Sequence, residues 1–177
     1  MLDRIGQMTR KLLFAAPLAL AACATVPSEA PPTQTAESIS FAVEPCFGFC
    51  PDFNIAVDAA GNGTYHGENF VAQKGDHPFR ATPAQFEAFA ARLAPFRPAR
   101  DVKYGYDNCD GMVATDSPSV KVTWHDADGS STTLDWYMGC RQPGLAERSE
   151  QIYKAWQELP LEALVGADED RMNYAPR

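Results

Sequence analysis

The sequence predicts an α+β domain: a mainly antiparallel sheet, in chain order β-β-β-α-β-β-α, with two helices packed on one face. Two observations lead there. Residues 38–71 and 120–138 alternate hydrophobic with polar side chains and fold back at glycine-containing turns, whereas residues 82–95 and 145–159 repeat their apolar positions every three or four residues.

The first strand is read from Ile39, Phe41 and Val43, alternating with Ser40, Ala42 and Glu44, and the second from Phe53, Ile55 and Val57. Gly61-Asn62-Gly63 marks a turn, and Thr64 to Val71 supply the return strand. A helix follows. Thr82-Pro83-Ala84-Gln85 offers an N-cap, a first-turn proline and a capping-box glutamine, Phe86, Phe89, Ala90 and Leu93 share one face, and Pro95 ends it. Val120, Val122 and Trp124 pair with Leu134, Trp136 and Met138 across the turn Asp126-Ala127-Asp128-Gly129. Leu145, Ser149, Ile152, Trp156 and Leu159 then mark a last amphipathic helix, stopped by Pro160.

Ahead of this domain, Arg10 and Lys11 precede an apolar run from Leu12 that closes on Leu20-Ala21-Ala22-Cys23. Residues 1–22 read as an export signal, too short to span a bilayer, with Met8 as an alternative start. The same residues resemble the lipobox of bacterial lipoproteins. That resemblance implies cleavage before Cys23, diacylglycerol on its thiol and a further acyl chain such as palmitate on its amino group. Several chains at ~0.8 kcal/mol per buried CH₂ make a firm anchor, and Ala24 after the cysteine implies the outer membrane. Residues 23–37, rich in Pro, Thr, Ala and Ser, read as a tether, residues 38–166 as the one folded domain, and residues 167–177 as a disordered, solvated tail.

The formal charge of the whole chain is −8. Losing residues 1–22 removes three cations and one anion and leaves −10. An acidic surface opposes nucleic acid and anionic headgroups, so attachment to the membrane falls to the lipid and the expected partner is another envelope protein.

After lipidation four cysteines remain: Cys46, Cys50, Cys109 and Cys140. Four permit three connectivities, and an exported domain reads them as a disulfide framework. Cys46–Cys50 and Cys109–Cys140 are preferred. Gly48 lets the first gap bend tightly, and Cys140 ends a hairpin strand beside the loop carrying Cys109. The alternative is a thiol redox centre at Cys46 and Cys50, but reactive dithiols favour a two-residue gap, a helix N-terminus and neighbouring cations. Here the gap is three residues, a strand pattern follows, and no Lys or Arg lies within the motif.

Other chemistry is sparse. His66, His77 and His125 have no metal-ligand spacing, no serine has an elbow motif or a paired histidine, and Asp126 to Ser130 lacks the distal glutamate of a calcium loop. Asp107, Asp110 and Asp116 around Cys109 are a candidate ligand or cation loop, set against the ordinary use of Asp in turns. Trp136 and Trp156 fit core faces; Tyr104 and Tyr106 are read as core too, with an exposed recognition surface as the alternative. No catalytic residue, metal or cofactor is assigned.

The run Cys46-Phe47-Gly48-Phe49-Cys50-Pro51-Asp52-Phe53 with Asn54 to Val57, the glycines 61, 63 and 67 around Tyr65, Thr115-Asp116-x-Pro118, and Tyr137-x-Gly139-Cys140 carry a further signal. Together they resemble a bacterial envelope family classed as a domain of unknown function, of the 6438 type. The resemblance covers about residues 38–166 and implies a small secreted or lipid-anchored protein with no assigned reaction. One departure is Glu44-Pro45 ahead of Cys46, where a basic residue is expected. The expected function is a lipid-anchored envelope protein facing the periplasm, acting as a non-enzymatic binding or assembly module, with a periplasmic thiol redox protein as the alternative.

Overall fold

The computed structural model describes residues 37–175. The export signal 1–22, the lipidation residue Cys23 and all but the last residue of the tether lie outside the described residues. Seven strands form one sheet: β1 (Ser38–Glu44), β2 (Asp52–Asp58), β3 (Asn62–Asn69), β4 (Gly75–Arg80), β5 (Val102–Tyr104), β6 (Ser119–His125) and β7 (Ser131–Tyr137). Their order across the sheet is β4-β3-β2-β1-β6-β7-β5. Every pairing is antiparallel except β5 with β7.

The alternation read from the sequence sets the register. Ile39, Phe41 and Val43 of β1 stand opposite Val57, Ile55 and Phe53 on one side and Trp124, Val122 and Val120 on the other, so one face of the sheet is continuously apolar. Helix α1 (Pro83–Leu93) covers it, with the Thr82 and Gln85 capping box closed and Phe86, Phe89 and Leu93 buried. Phe89 meets Phe41 edge-on at 6.0 Å, and Trp156 meets Phe53 edge-on at 5.9 Å, so both helical segments lie on the same face. Arg92 Nη1 joins them through Glu158 at 2.7 Å. The opposite face is polar and open: Asn54, Thr64 and Lys121 are exposed there, and Ser40 and Thr123 half-buried.

Four features differ from the sequence-based expectation. Strand β4 was missing from it, because Pro78 and three charged or histidine side chains hide its pattern; as an edge strand it tolerates a proline and buries neither face fully. Strand β5 is only three residues long and pairs in parallel after a crossover through α1, which local alternation does not report. The expected helix over 145–159 is broken into a 3-10 turn (Ala146–Arg148), α2 (Ser149–Tyr153) and a second 3-10 turn (Ala155–Glu158). The break coincides with a tertiary bond: Arg92 Nε donates to the carbonyl of Gln151 at 2.9 Å, the acceptor that Ala155 N–H would use in an uninterrupted α-helix.

The fourth difference is beyond α3 (Glu162–Val165), where Asp168–Tyr174, expected as solvated tail, form a 3-10 helix. Arg171 holds it down. Its guanidinium is buried and donates to the carbonyls of Val165 at 2.5 Å and Phe70 at 3.1 Å, and to Asp168 at 3.0 Å.

Candidate functional site

The connection between β1 and β2 is a seven-residue loop, residues 45–51, whose middle five are closed into a ring by the Cys46–Cys50 disulfide, with Cα atoms 5.7 Å apart. So small a ring cannot turn both of its phenylalanines inward. Phe47 is 87 % exposed and Phe49 50 %, and Phe49 leans edge-on against Phe70 at 5.6 Å. Phe70 sits at φ +54°, in a turn that bends back toward α3 through Ala72 N–H to Val165 O and Gln73 N–H to Leu164 O.

The second loop, residues 105–118, joins β5 to β6. Asn108 closes its start, accepting from Gly105 N–H at 2.7 Å and donating to the Lys103 carbonyl. The Cys109–Cys140 disulfide, with Cα atoms 5.6 Å apart, ties its middle to the end of β7. Backbone bonds extend that seam: Ala114 N–H to Gly139 O and Arg141 N–H to Met112 O, both 2.9 Å, flank a bridge between Val113 and Cys140. The two chains run so close that a Cβ on Gly111 would lie 2.0 Å from the Arg141 oxygen, and one on Gly139 2.2 Å from the Ala114 oxygen. Beneath, Trp136 Nε1 donates to the buried Cys140 carbonyl at 2.9 Å.

Tyr137 anchors the rest. Its ring stacks on Tyr106 at 4.9 Å, and its hydroxyl accepts from Tyr106 and from Ser117 N–H while donating to Ala114 O. Tyr106 is 61 % exposed, so the reading of it as a core residue is corrected; Met112 is 74 % exposed. The tyrosine pair raises the Tyr106 phenol above its ordinary value, because that hydroxyl is the donor in the bond to Tyr137.

Both loops emerge at one end of the sheet. Glu44, the last residue of β1, stands beside Ser119, the first of β6, and Ser119 beside Tyr137, the last of β7. With strands ~4.8 Å apart, that row spans about 10 Å. Phe47, Phe49, Tyr106 and Met112 are four of the five large apolar side chains exposed among the described residues, and all four lie at this pole. Of these, the sequence points only to Tyr106, as the alternative reading of an exposed recognition surface; Phe47, Phe49 and Met112 are not singled out there. The legible signal was Phe-Gly-Phe between two cysteines too close to let the aromatics fold away.

Elsewhere the sequence-based candidates are dispersed. Asp110 is bonded through Gln142, whose Nε2 donates to its carboxylate at 2.9 Å, and Asp116, at φ +63°, accepts from its neighbour Thr115. Asp107, Asp110 and Asp116 do not converge: among the described residues no three His, Cys, Asp or Glu side chains are grouped as metal ligands. Cys46 and Cys50 are half-buried ahead of a strand, with no helix N-terminus to lower a thiol pKa. His66 lies on the open sheet face between Asp76, at 2.5 Å, and Glu68, at 2.8 Å. Both bonds, to Asp76 first, push its pKa up. Asp52, at the mouth of the first loop, is also raised, by burial outweighing the bond from Asn69.

A cleft of about 430 Å³ opens on the helical side between Trp156, Pro160 and Gly166, with Glu162, Asp168 and Glu169 among its walls. No serine, cysteine or histidine lines it, and Asp168 is engaged by Arg171.

The model of a family described as a domain of unknown function (DUF6438) matches residues 37–159. That interval contains both loops of the pole and every strand of the sheet. No curated protein and no solved structure matches the chain.

Proposed function

The chain belongs to the DUF6438 family, and from that premise we propose that it is a lipid-anchored protein of the bacterial envelope whose domain is a non-enzymatic binding or assembly module. The observation that carries the binding reading is the gathering of Phe47, Phe49, Tyr106 and Met112 on two disulfide-held loops at one pole. Exposed apolar side chains scattered singly need no explanation, but a group of them on a braced surface is the form that interaction sites take. Rigid loops also lose little conformational entropy on binding.

The anchor reading is supported by Leu20-Ala21-Ala22-Cys23 behind an apolar run. None of the described helices is long and apolar enough to cross a membrane. Labelling cells with an alkyne analogue of palmitate tests it: label should appear on the protein and vanish in Cys23→Ala, and a labelled Cys23→Ala protein would refute the anchor.

Binding at the pole is tested by placing a photoreactive phenylalanine at position 47 in the full chain within intact envelopes. Irradiation should yield a discrete adduct with another protein, and no protein adduct from position 47 or position 106 would remove the docking reading.

The rival is a thiol oxidoreductase at Cys46 and Cys50, and its reduction potential separates the two. A value below about −300 mV marks a structural bond, whereas one near that of thioredoxin, about −270 mV, supports the redox reading.

A further inference from the structure

We infer that the exposed pole docks a basic, apolar-bearing segment of a partner protein. The inference rests on the docking reading above and adds the chemistry of the occupant. Residues 44–52 and 105–118, the two loops that carry Phe47, Phe49, Tyr106 and Met112, contain five carboxylates and no Lys or Arg. Glu44, Asp107, Asp110 and Asp116 are exposed, and Asp52 is half-buried. The adjoining cations are fewer: Lys103, paired to Asp135 at 3.0 Å, Lys121, which stands opposite the same Asp135, and Arg141 and Lys74 on neighbouring turns. The surface is thus an apolar centre with an acidic rim. Its complement has hydrophobic side chains to cover the aromatics and Lys or Arg to meet the rim.

Charge disfavours one competitor, an anionic membrane surface. Exposed aromatic loops also insert into bilayers, but an anionic headgroup layer would meet this rim with like charge. The polypeptide enters the sheet at Ser38, and six residue steps at ~3.4 Å place that end about 20 Å from Glu44. The aromatic pole is therefore at the far end of β1 from Ser38.

The test uses the full chain with both disulfides intact and three probes: in detergent, a short peptide of Lys, Phe and Ala and its twin with Glu for Lys, and, after removal of detergent, phosphatidylglycerol vesicles. The Lys peptide should bind, with affinity reduced on the order of tenfold both by Glu44→Gln/Asp107→Asn/Asp116→Asn and by raised salt. Phe47→Ser/Met112→Ser should weaken it comparably, with near-UV circular dichroism confirming an unchanged fold. Equal binding of the Glu twin, indifference to the charge substitutions, or vesicle binding that Phe47→Ser/Met112→Ser abolishes would overturn the inference.

The photocrosslink at position 47 distinguishes the two levels. An adduct whose crosslinked partner segment contains Lys or Arg supports the inference. One whose segment lacks both sinks the inference but leaves the docking reading standing, and no protein adduct sinks both.

Discussion

Tyr106 and Tyr137 are stacked at 4.9 Å, with the Tyr106 hydroxyl donating to that of Tyr137 at 3.0 Å. The two phenols are unequal. Tyr137 also takes Ser117 N–H and supplies Ala114 O, so its oxygen joins three points of the 105–118 loop, whereas Tyr106 has that one bond and stands mainly in solvent. Tyr137→Phe should cost about 1–2 kcal/mol, because it strands a backbone N–H and a carbonyl, and Tyr106→Phe less than about 0.5 kcal/mol. Urea titration of the two variants measures the difference; equal losses would show that the hub is not Tyr137.

The two disulfides should contribute unequally. Cys109–Cys140 closes a separation of 31 residues and Cys46–Cys50 one of 4. On loop entropy the first is worth about 3–4 kcal/mol and the second about 2 kcal/mol. The double change Cys109→Ala/Cys140→Ala also empties a site where Cys140 is fully buried, adding a cavity cost. Thermal melts should therefore place it well below Cys46→Ala/Cys50→Ala, which is expected to melt closer to the parent while losing the fixed display of Phe47.

Stability should carry a histidine signature near neutral pH. Imidazolium at His66 donates from Nδ1 to Asp76 and from Nε2 to Glu68, and these bonds raise its pKa above 6.5 in the folded chain. Folding therefore favours the protonated form. Its contribution is fully present below the unfolded value of about 6.5 and is lost as pH rises through the folded value. Asp76→Asn should bring the His66 titration, followed by NMR, back toward 6.5 and flatten this part of the stability profile. An unshifted titration in Asp76→Asn would contradict the assignment.

Most of the sheet was legible because its central strands bury one face only. Ile39, Phe41 and Val43 alternate with polar residues for the same reason that Val120, Val122 and Trp124 do, and that periodicity survives without any knowledge of neighbours. The capping box of α1 is equally local. What escaped was non-local. Strand β4 is defined by Tyr65 opposite His77 and Gly63 opposite Phe79, and the break after α2 coincides with a bond from an arginine 59 residues away in sequence. The pole escaped partly for the same reason. Phe47 and Met112 are 65 positions apart, and only the order β1-β6-β7 brings their loops to one end.

Arg171 supplies the sharpest test of how far that pole depends on distant chain. Its guanidinium caps the carbonyls of Phe70 and Val165, and the Phe70 ring in turn backs Phe49, so a residue beyond the family match at 37–159 braces a loop within it. Arg171→Ala leaves two carbonyls without their charged donor and should cost about 2–3 kcal/mol. Arg171→Lys keeps the charge but not the fork, and should recover part of the loss.

A titration reports the same change without relying on unfolding. Burial pushes the Tyr153 phenol up to about 12, and the charge of Arg171 opposes that rise. The contribution of Tyr153 to stability is present below its unfolded value of about 10 and is lost as pH climbs toward 12. Removing the arginine should move phenolate formation, followed by ultraviolet absorbance, to still higher pH, and Lys at 171 should largely restore it. Amide exchange at Phe70 to Gln73 should accelerate in Arg171→Ala alone; unchanged exchange there would show that the C-terminal turn covers the domain without bracing the loop that supports Phe49.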